Sequence, residues 1–447
     1  MIINKLKSRK ILIAILLLAS FFHFFRLDYP NAYVFDEVYH GFTAKEYLKG
    51  SKEAWEWWTT PPPGVAFEWT HPPLAKEIMT ASMFLVSSTD AWAWRLPGAI
   101  LGILSVFLVY KLGKKIFNEN TGLVSAFLFS FDGLNFVQSR TGMNDIYLVT
   151  FALASVLFLL HKRFFLSAVF LGLAFSSKWS ALYLLGLDGL LICYFFFAGK
   201  IKFFELQKAV IYTILVVPVI YLLSYLPFFL FNHNYGAYQT NIDLFVELQK
   251  QMWWYHSNLK ATHDYASPAW SWPLNLYPVW YFVEYHKNGL VSNIFASGNP
   301  VLFWMGIGAL LISLYDFLLT FLSRNLKTQT HTVSGGQNSR GFVLNNRDKN
   351  LIVLLGYFVF WLPWIFSPRI MFLYHYSPPV AFLCLSLGYQ INLMISSKNS
   401  RSVGLAILGL VLLGFILIYP MLTGIPLNKQ FMVKFFDINL TKNPFAQ

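Results

Sequence analysis

Two adjacent carboxylates, Asp36 and Glu37, stand in the run Phe35-Asp36-Glu37-Val38-Tyr39-His40-Gly41, in the first loop after the first apolar segment. Membrane insertion gives no reason for them. Acids at a membrane edge are costly to desolvate and so point to function; the plain alternative is a solvated loop face. A second polar run, His71-Pro72-Pro73-Leu74-Ala75-Lys76, follows in the same loop. Arg95, Asp132, Arg140, Asp145, Lys178, Arg369 and His375 fall near the corresponding ends of later apolar segments. Cations and acids gathered on one membrane face describe a site that holds an anion while a base works beside it. The sequence carries neither a Gly-rich phosphate loop ending in Lys and Ser or Thr nor a His-Glu-x-x-His helix, which argues against an ATP-driven pump and a zinc protease.

The elements that must position these groups are transmembrane helices. Of 447 residues 56% are hydrophobic and only 12% charged, about half the charge of an ordinary soluble domain. A bilayer span needs about 20 apolar residues, and hydropathy predicts eleven segments, at 11–26, 92–111, 121–138, 145–161, 163–177, 179–198, 209–232, 300–322, 350–366, 370–396 and 403–423. The first is read as a retained helix because no small-residue cleavage site follows it. With the amino terminus cytoplasmic, the mostly short inside loops hold 19 of the 34 Lys and Arg residues, so the positive-inside rule puts the amino terminus inside and the carboxyl terminus outside. The net charge of +13 is thereby assigned to topology and lipid headgroups, with no nucleic-acid partner. Cys193 and Cys384 lie in apolar segments and predict two buried thiols with no disulfide framework or thiolate metal site.

Two long loops, 28–91 and 233–299, then face the exterior. The first carries the acid pair, the run Trp55 to Pro63, and an amphipathic stretch from His71 to Val86 that could lie in the interface plane. The second is rich in aromatics (Trp253-Trp254-Tyr255-His256, Trp270, Trp272), which argues against disorder. Loop 323–349 is polar and is given no catalytic role. Three distant histidines, His71, His263 and His375, lack the spacing of metal ligands and read as hydrogen-bonding or packing residues. Trp270 and Trp272 suit sugar stacking and interface anchoring equally. A transporter with a midplane site is the rival reading; the acids and cations lie at one face, and no inverted repeat is visible.

In order along the chain, the Asp36-Glu37 run, His71 to Lys76, Arg95 ahead of Gly98 and Gly102, Ser139-Arg140 with Asp145, Gly172 to Trp179, Ala261 to Ser267 with Trp270-Ser-Trp-Pro273, Gly298-Asn-Pro300, and Arg369 with Tyr374-His-Tyr376 and Pro379 together resemble the protein O-mannosyltransferase family, membrane glycosyltransferases of the C type. The resemblance implies an all-α polytopic bundle forming one unit, with a catalytic region over residues 1–232, an exterior loop over 233–299 and a carboxyl-terminal transmembrane region over 300–447. It implies inverting transfer of mannose from a polyprenyl-phosphate mannose donor to Ser or Thr hydroxyls of secreted or surface proteins, at the exterior face of the cell membrane. It implies no cofactor or catalytic metal, and association with a translocon enters as an expectation. Transfer of another sugar, or to a lipid or glycan, is the alternative within the class. The exterior loop of 67 residues is too short for the β-trefoil domain of eukaryotic members, so the likeness is to a compact prokaryotic form. His40 stands where many members have other residues, and Asn144-Asp145 departs from an apolar-Asp step.

Residue by residue, the resemblance makes Asp36 the catalytic base, with Glu37 holding the acceptor or setting the loop. Arg95 is the first choice for the donor phosphate, since a guanidinium fork matches its oxygens; Lys76, Lys178 and Arg369 are further choices. Snorkelling to headgroups is the plain alternative for Arg95 and Arg369. His71, Arg140, Asp145, His263, Trp270, Trp272 and His375 are placed along the substrates.

Overall fold

The computed structural model describes residues 2–238, 240–324 and 341–438. Most of the polar loop 323–349 therefore lies outside the described residues. The chain runs through α1 (Ile2–Phe24), a 3-10 turn at Phe35–Val38, α2 (His40–Leu48), α3 (Leu74–Val86), α4 (Ala91–Ile116), α5 (Glu119–Ser130), α6 (Gly133–Arg140), α7 (Asp145–Leu160), α8 (Phe164–Ser177), α9 (Ala181–Phe197), α10 (Phe203–Ser224) and α11 (Leu226–Leu230). There follow α12 (Asn241–Asn258), strands β1 (Val279–Tyr285) and β2 (Leu290–Ala296), α13 (Pro300–Arg324), α14 (Asn346–Trp361), α15 (Ser377–Ser396), α16 (Arg401–Thr423), β3 (Leu427–Asn428) and α17 (Lys429–Ile438).

Each of the eleven predicted segments contains a helix, but they are unequal. Among the described residues six helical stretches are individually long and apolar enough to cross a bilayer, seven if the bent pair α6 and α7 counts as one. α1 falls short because its last eighteen residues still include Lys7, Arg9 and Lys10. α5, α8 and α9 are shorter than a span of about 20 residues requires. The predicted segment 121–138 is broken where Asp132 caps α6, its carboxylate accepting from the Leu134 and Asn135 amides. α6 and α7 then meet at 115°.

The chain is not purely helical. β1 and β2 pair antiparallel, with a bulge between Trp280 and Phe282, and β3 adds to the β2 edge. The signal was present, an aromatic and β-branched run followed by Asn288-Gly289 and a second run. The amphipathic stretch before Val86 is α3, as its pattern predicts.

Close approach positions the helices. A Cβ on Gly98 would stand 2.8 Å from the Ser139 carbonyl oxygen, and one on Gly102 2.7 Å from Ser139 Cβ. Only glycine lets α4 lie against α6, which fixes Arg95 relative to the bend after Arg140. α7 and α8 form an antiparallel hairpin across a three-residue link, so Asp145 at the start of one meets Lys178 just past the end of the other. One large apolar core joins most helices. A separate small cluster of Trp55, Tyr225, Phe228, Leu244, Leu248 and Met252 seats α12 and the first exterior loop on each other.

Candidate active site

The Phe35–Val38 turn sends its two acids in different directions, because consecutive residues of a 3-10 helix project about 120° apart. Glu37 points inward and is completely buried. Its carboxylate accepts from Arg95 Nε (2.7 Å) and Nη2 (2.6 Å), Trp94 Nε1 (3.0 Å), and the amides of Val34 (2.8 Å) and Gly142 (2.8 Å). Arg95, 1% exposed, gives its remaining N–H groups to the carbonyls of Leu27, Pro30 and Ala32. All five guanidinium donors are spent inside the protein, so the phosphate role expected for Arg95 has no donor left to serve it. Arg140 is spent similarly on the carbonyls of Phe22, His23 and Arg26, where it caps the end of α1. It lines neither cavity described below.

Asp36 projects the other way, partly buried, and its carboxylate has no hydrogen-bond or ion-pair partner among the described residues. The preceding Phe35 holds φ at +50°, a left-handed conformation costly for a bulky side chain. It is clamped there by stacking on Tyr281, ring centroids 4.3 Å apart. Two cavities meet at Asp36. One, about 950 Å³, is lined by Asp145, Lys178, Trp179, Tyr183, Trp364 and His375. The other, about 1390 Å³, is lined by Glu68, Trp69, Tyr255, Thr262, His263 and Phe372. Both also include His40, His71, His256, Arg369 and Tyr374. Asp36 is the carboxylate they share.

The charges around this junction differ in how far they are committed. Lys178 Nζ donates to both Asp145 oxygens, at 2.8 and 2.9 Å. Arg369 donates from Nη1 to His256 Nδ1 at 2.5 Å, while its buried Nε has no partner in the protein. An arginine can only donate, so His256 Nδ1 accepts, and its Nε2–H donates to the Thr70 carbonyl at 2.8 Å. That tautomer is neutral. Burial first, then the Arg369 charge, holds His256 down at about 4. Lys76 is fully buried and donates to the His71 carbonyl at 3.0 Å; it lines neither cavity and steadies the loop beneath His71.

Burial, reinforced by Glu68 and then Asp145 against the pull of Lys178, pushes Asp36 up to about 7. A carboxylate there is poised to take a proton near neutral pH. Glu68 differs. Burial pulls it upward, but Lys76, His40 and hydrogen bonds from the Thr70 hydroxyl and His71 amide outweigh that and hold it below the ordinary value. The rings of His40, His71 and His256 lie face to face, with centroids 6.2 and 5.1 Å apart. Face-to-face imidazoles present their nitrogens sideways and do not converge on one point.

Of the remaining expected site residues, His71 and Asp145 reach the cavities, as do His263 and His375. His375 is packed between Trp272 and Trp364. Trp272 is fully buried, donating to Ser267 Oγ at 3.0 Å, and Trp270 is exposed; neither lines a cavity. His256 and Glu68 were missed as site residues. His256 sat in an aromatic run that pointed to function without choosing a residue. Glu68 was a lone acid three positions before His71, the only sequence signal for it.

This arrangement belongs to a known membrane-enzyme fold. The chain superposes on the structure of the S. cerevisiae protein O-mannosyltransferase Pmt1-Pmt2 complex bound to the sugar donor with a TM-score of 0.77, over 98% of this chain and 93% of that one at 16% identity. It matches ArnT from Cupriavidus metallidurans bound to undecaprenyl phosphate with a TM-score of 0.58, over 91% and 64% at 13% identity. The fold is thus that of membrane glycosyltransferases of the C type. In sequence, residues 13–234 match the model described as dolichyl-phosphate-mannose-protein mannosyltransferase, and 241–436 the one described as the C-terminal four-transmembrane region of protein-O-mannosyltransferase. A polyprenol-phosphate-mannose--protein mannosyltransferase of Mycolicibacterium smegmatis is 23% identical, over 80% of this chain and 79% of its own length. One of the same name from Corynebacterium glutamicum is 23% identical over 71% and 69%. The chain belongs to the protein O-mannosyltransferase family.

Proposed function

We propose that this multi-pass membrane protein transfers a mannosyl unit from polyprenyl-phosphate mannose to a Ser or Thr hydroxyl of a protein acceptor, with inversion. Asp36 carries the reading, as an unpartnered carboxylate common to two cavities. The relatives' names supply the substrates. Donor sugar and phosphate occupy the cavity that holds Lys178, and the acceptor occupies the one that holds Glu68. The acceptor oxygen bonds to the anomeric carbon, the bond from that carbon to the phosphate oxygen breaks, and the acceptor proton passes to Asp36. The leaving polyprenyl phosphate gathers charge, which the free Nε edge of Arg369 and the Lys178 ammonium stabilise. Glu37 and Arg95 hold the loop that aims Asp36.

The site faces the exterior of the cell membrane in this proposal, where an acceptor arriving unfolded, as from a translocon, offers free hydroxyls. A cysteine at Asn258, in a background without Cys193, which is exposed and not buried as its apolar segment predicts, should react with an impermeant thiol reagent in intact cells, and one at Asn399 only after lysis. The opposite pattern would put the site on the wrong face. The activity is tested with membranes, radiolabelled polyprenyl-phosphate mannose and a Ser/Thr-rich peptide. Label in the peptide, lost on base-catalysed elimination, is expected; label passing only to lipid or glycan would overturn the protein-acceptor reading.

A further inference from the structure

At the end of the bundle away from Asp36 a groove of about 1170 Å³ opens between α1, α5, α15 and α16. α15 links the two sites. It begins beside the catalytic cavity at Ser377 and reaches Asn392, in the groove, fifteen residues later, about 22 Å at the rise of an α-helix. That displacement approaches the thickness of a bilayer's hydrocarbon layer.

The groove is graded from one end to the other. Lys7 on α1, Asn120 on α5 and Asn392 on α15 lie near the helix ends that share this face. Ile15, Phe127 and Leu408 line it two turns deeper along their helices. Asn392 is only 7% exposed, and its side-chain amide has no hydrogen-bond partner among the described residues. The residue is largely enclosed, and its unpaired amide borders the open groove, where a ligand can reach it. Lys7 likewise has no acidic partner among the described residues. A cation and an unpaired amide at the headgroup end, above apolar walls between membrane helices, match one chemistry.

We infer that this groove binds an anionic glycerophospholipid of the leaflet opposite the catalytic face, its phosphate held by Lys7 and Asn392 and an acyl chain lying along Ile15, Phe127 and Leu408. Basic pockets between transmembrane helices recognise anionic headgroups in this way. The leaflet is the source of the ligand, because the apolar wall of Ile15, Phe127 and Leu408 has nothing to offer free phosphate.

The full chain, purified and delipidated in mild detergent, would be titrated with phosphatidylglycerol or phosphatidylcholine and the bound lipid counted by native mass spectrometry. The wild type should retain phosphatidylglycerol about fivefold better, the worth of one surface cation. Lys7→Gln should abolish that preference, and Asn392→Leu should weaken both lipids. Lys398→Gln, on the same face but outside the groove, should leave the preference intact. Equal retention of the two lipids by the wild type, an undiminished preference in Lys7→Gln, or the same loss in Lys398→Gln would overturn the assignment. Mannosyl transfer by each variant reports folding independently of lipid binding, since neither Lys7 nor Asn392 touches the catalytic cavities.

Discussion

Asp36 and Glu37 are consecutive residues of one short turn, but the protein surrounds them in opposite ways: Glu37 accepts five hydrogen bonds, two of them from Arg95 in a buried ion pair, while Asp36 accepts none among the described residues. With Asp36 as the proposed base, the difference is a way to fix a reactive group without neutralising it. A base that must accept a proton cannot also be saturated with donors, which would stabilise its charged form and remove its affinity for the proton. The anchoring is therefore delegated to the neighbour. Arg95 ties Glu37 to the carbonyls of Leu27, Pro30 and Ala32, and Gly142 ties it to the bend between α6 and α7.

Asp36→Asn sharpens the contrast most. It should lower transfer by about 10² to 10⁴ while leaving thermal stability intact, since no hydrogen bond is lost. Radiolabel transfer and melting of the same preparation decide this together, and wild-type turnover would remove Asp36 from the chemistry. Glu37→Gln should do the reverse, destabilising by about 3–5 kcal/mol because Arg95 is left buried without its counter-charge. Its melting temperature should fall and its activity should follow the folded fraction. A stable but inactive Glu37→Gln would mean that both carboxylates do chemistry.

The two arginines extend the comparison. Arg95→Lys should lower the melting temperature, because one ammonium cannot reproduce five fixed donors. Arg369→Lys should instead raise KM for the donor about tenfold, the worth of one charge-assisted hydrogen bond, at normal stability. The smallest effect is on pH dependence. kcat/KM should rise with pH through about 7 as Asp36 loses its proton. Glu68→Gln removes a negative charge that disfavours ionised Asp36, so the midpoint should move to lower pH. An unmoved midpoint would show that Glu68 does not act on the base.

The sequence made the acid pair, the helical bundle and several charged and histidine residues of the cavities legible, because a carboxylate in a membrane-edge loop and runs of apolar residues are local signals. Arg95 shows where that legibility stops. A guanidinium near an expected anion site looks like a phosphate ligand, and only the gathering of three carbonyls from residues 27 to 32 reveals that its donors are already used. Arg369 looked equivalent, yet its free Nε edge is a product of where Thr70 and α12 place His256. His256 itself was hidden because α12 reaches the cavity through the small cluster around Phe228 and Leu248, contacts between stretches far apart in sequence. The β1–β2 hairpin was readable from Asn288-Gly289 and was overlooked in favour of the aromatic content of its loop.

Phe35 places a constraint on how this loop can change over generations. Its backbone conformation, with φ at +50°, is one that glycine adopts at no cost, while its ring provides the stack on Tyr281 that glycine cannot. Strain of about 1–3 kcal/mol is thus retained for the sake of an aromatic face next to the unpartnered carboxylate of Asp36. A drift toward glycine would relax the backbone and free the turn, and a drift toward a β-branched residue would deepen the strain without restoring the stack. Variation at position 35 is therefore channelled toward other planar rings, and co-variation with position 281 is the trace that such channelling would leave among descendants of this sequence.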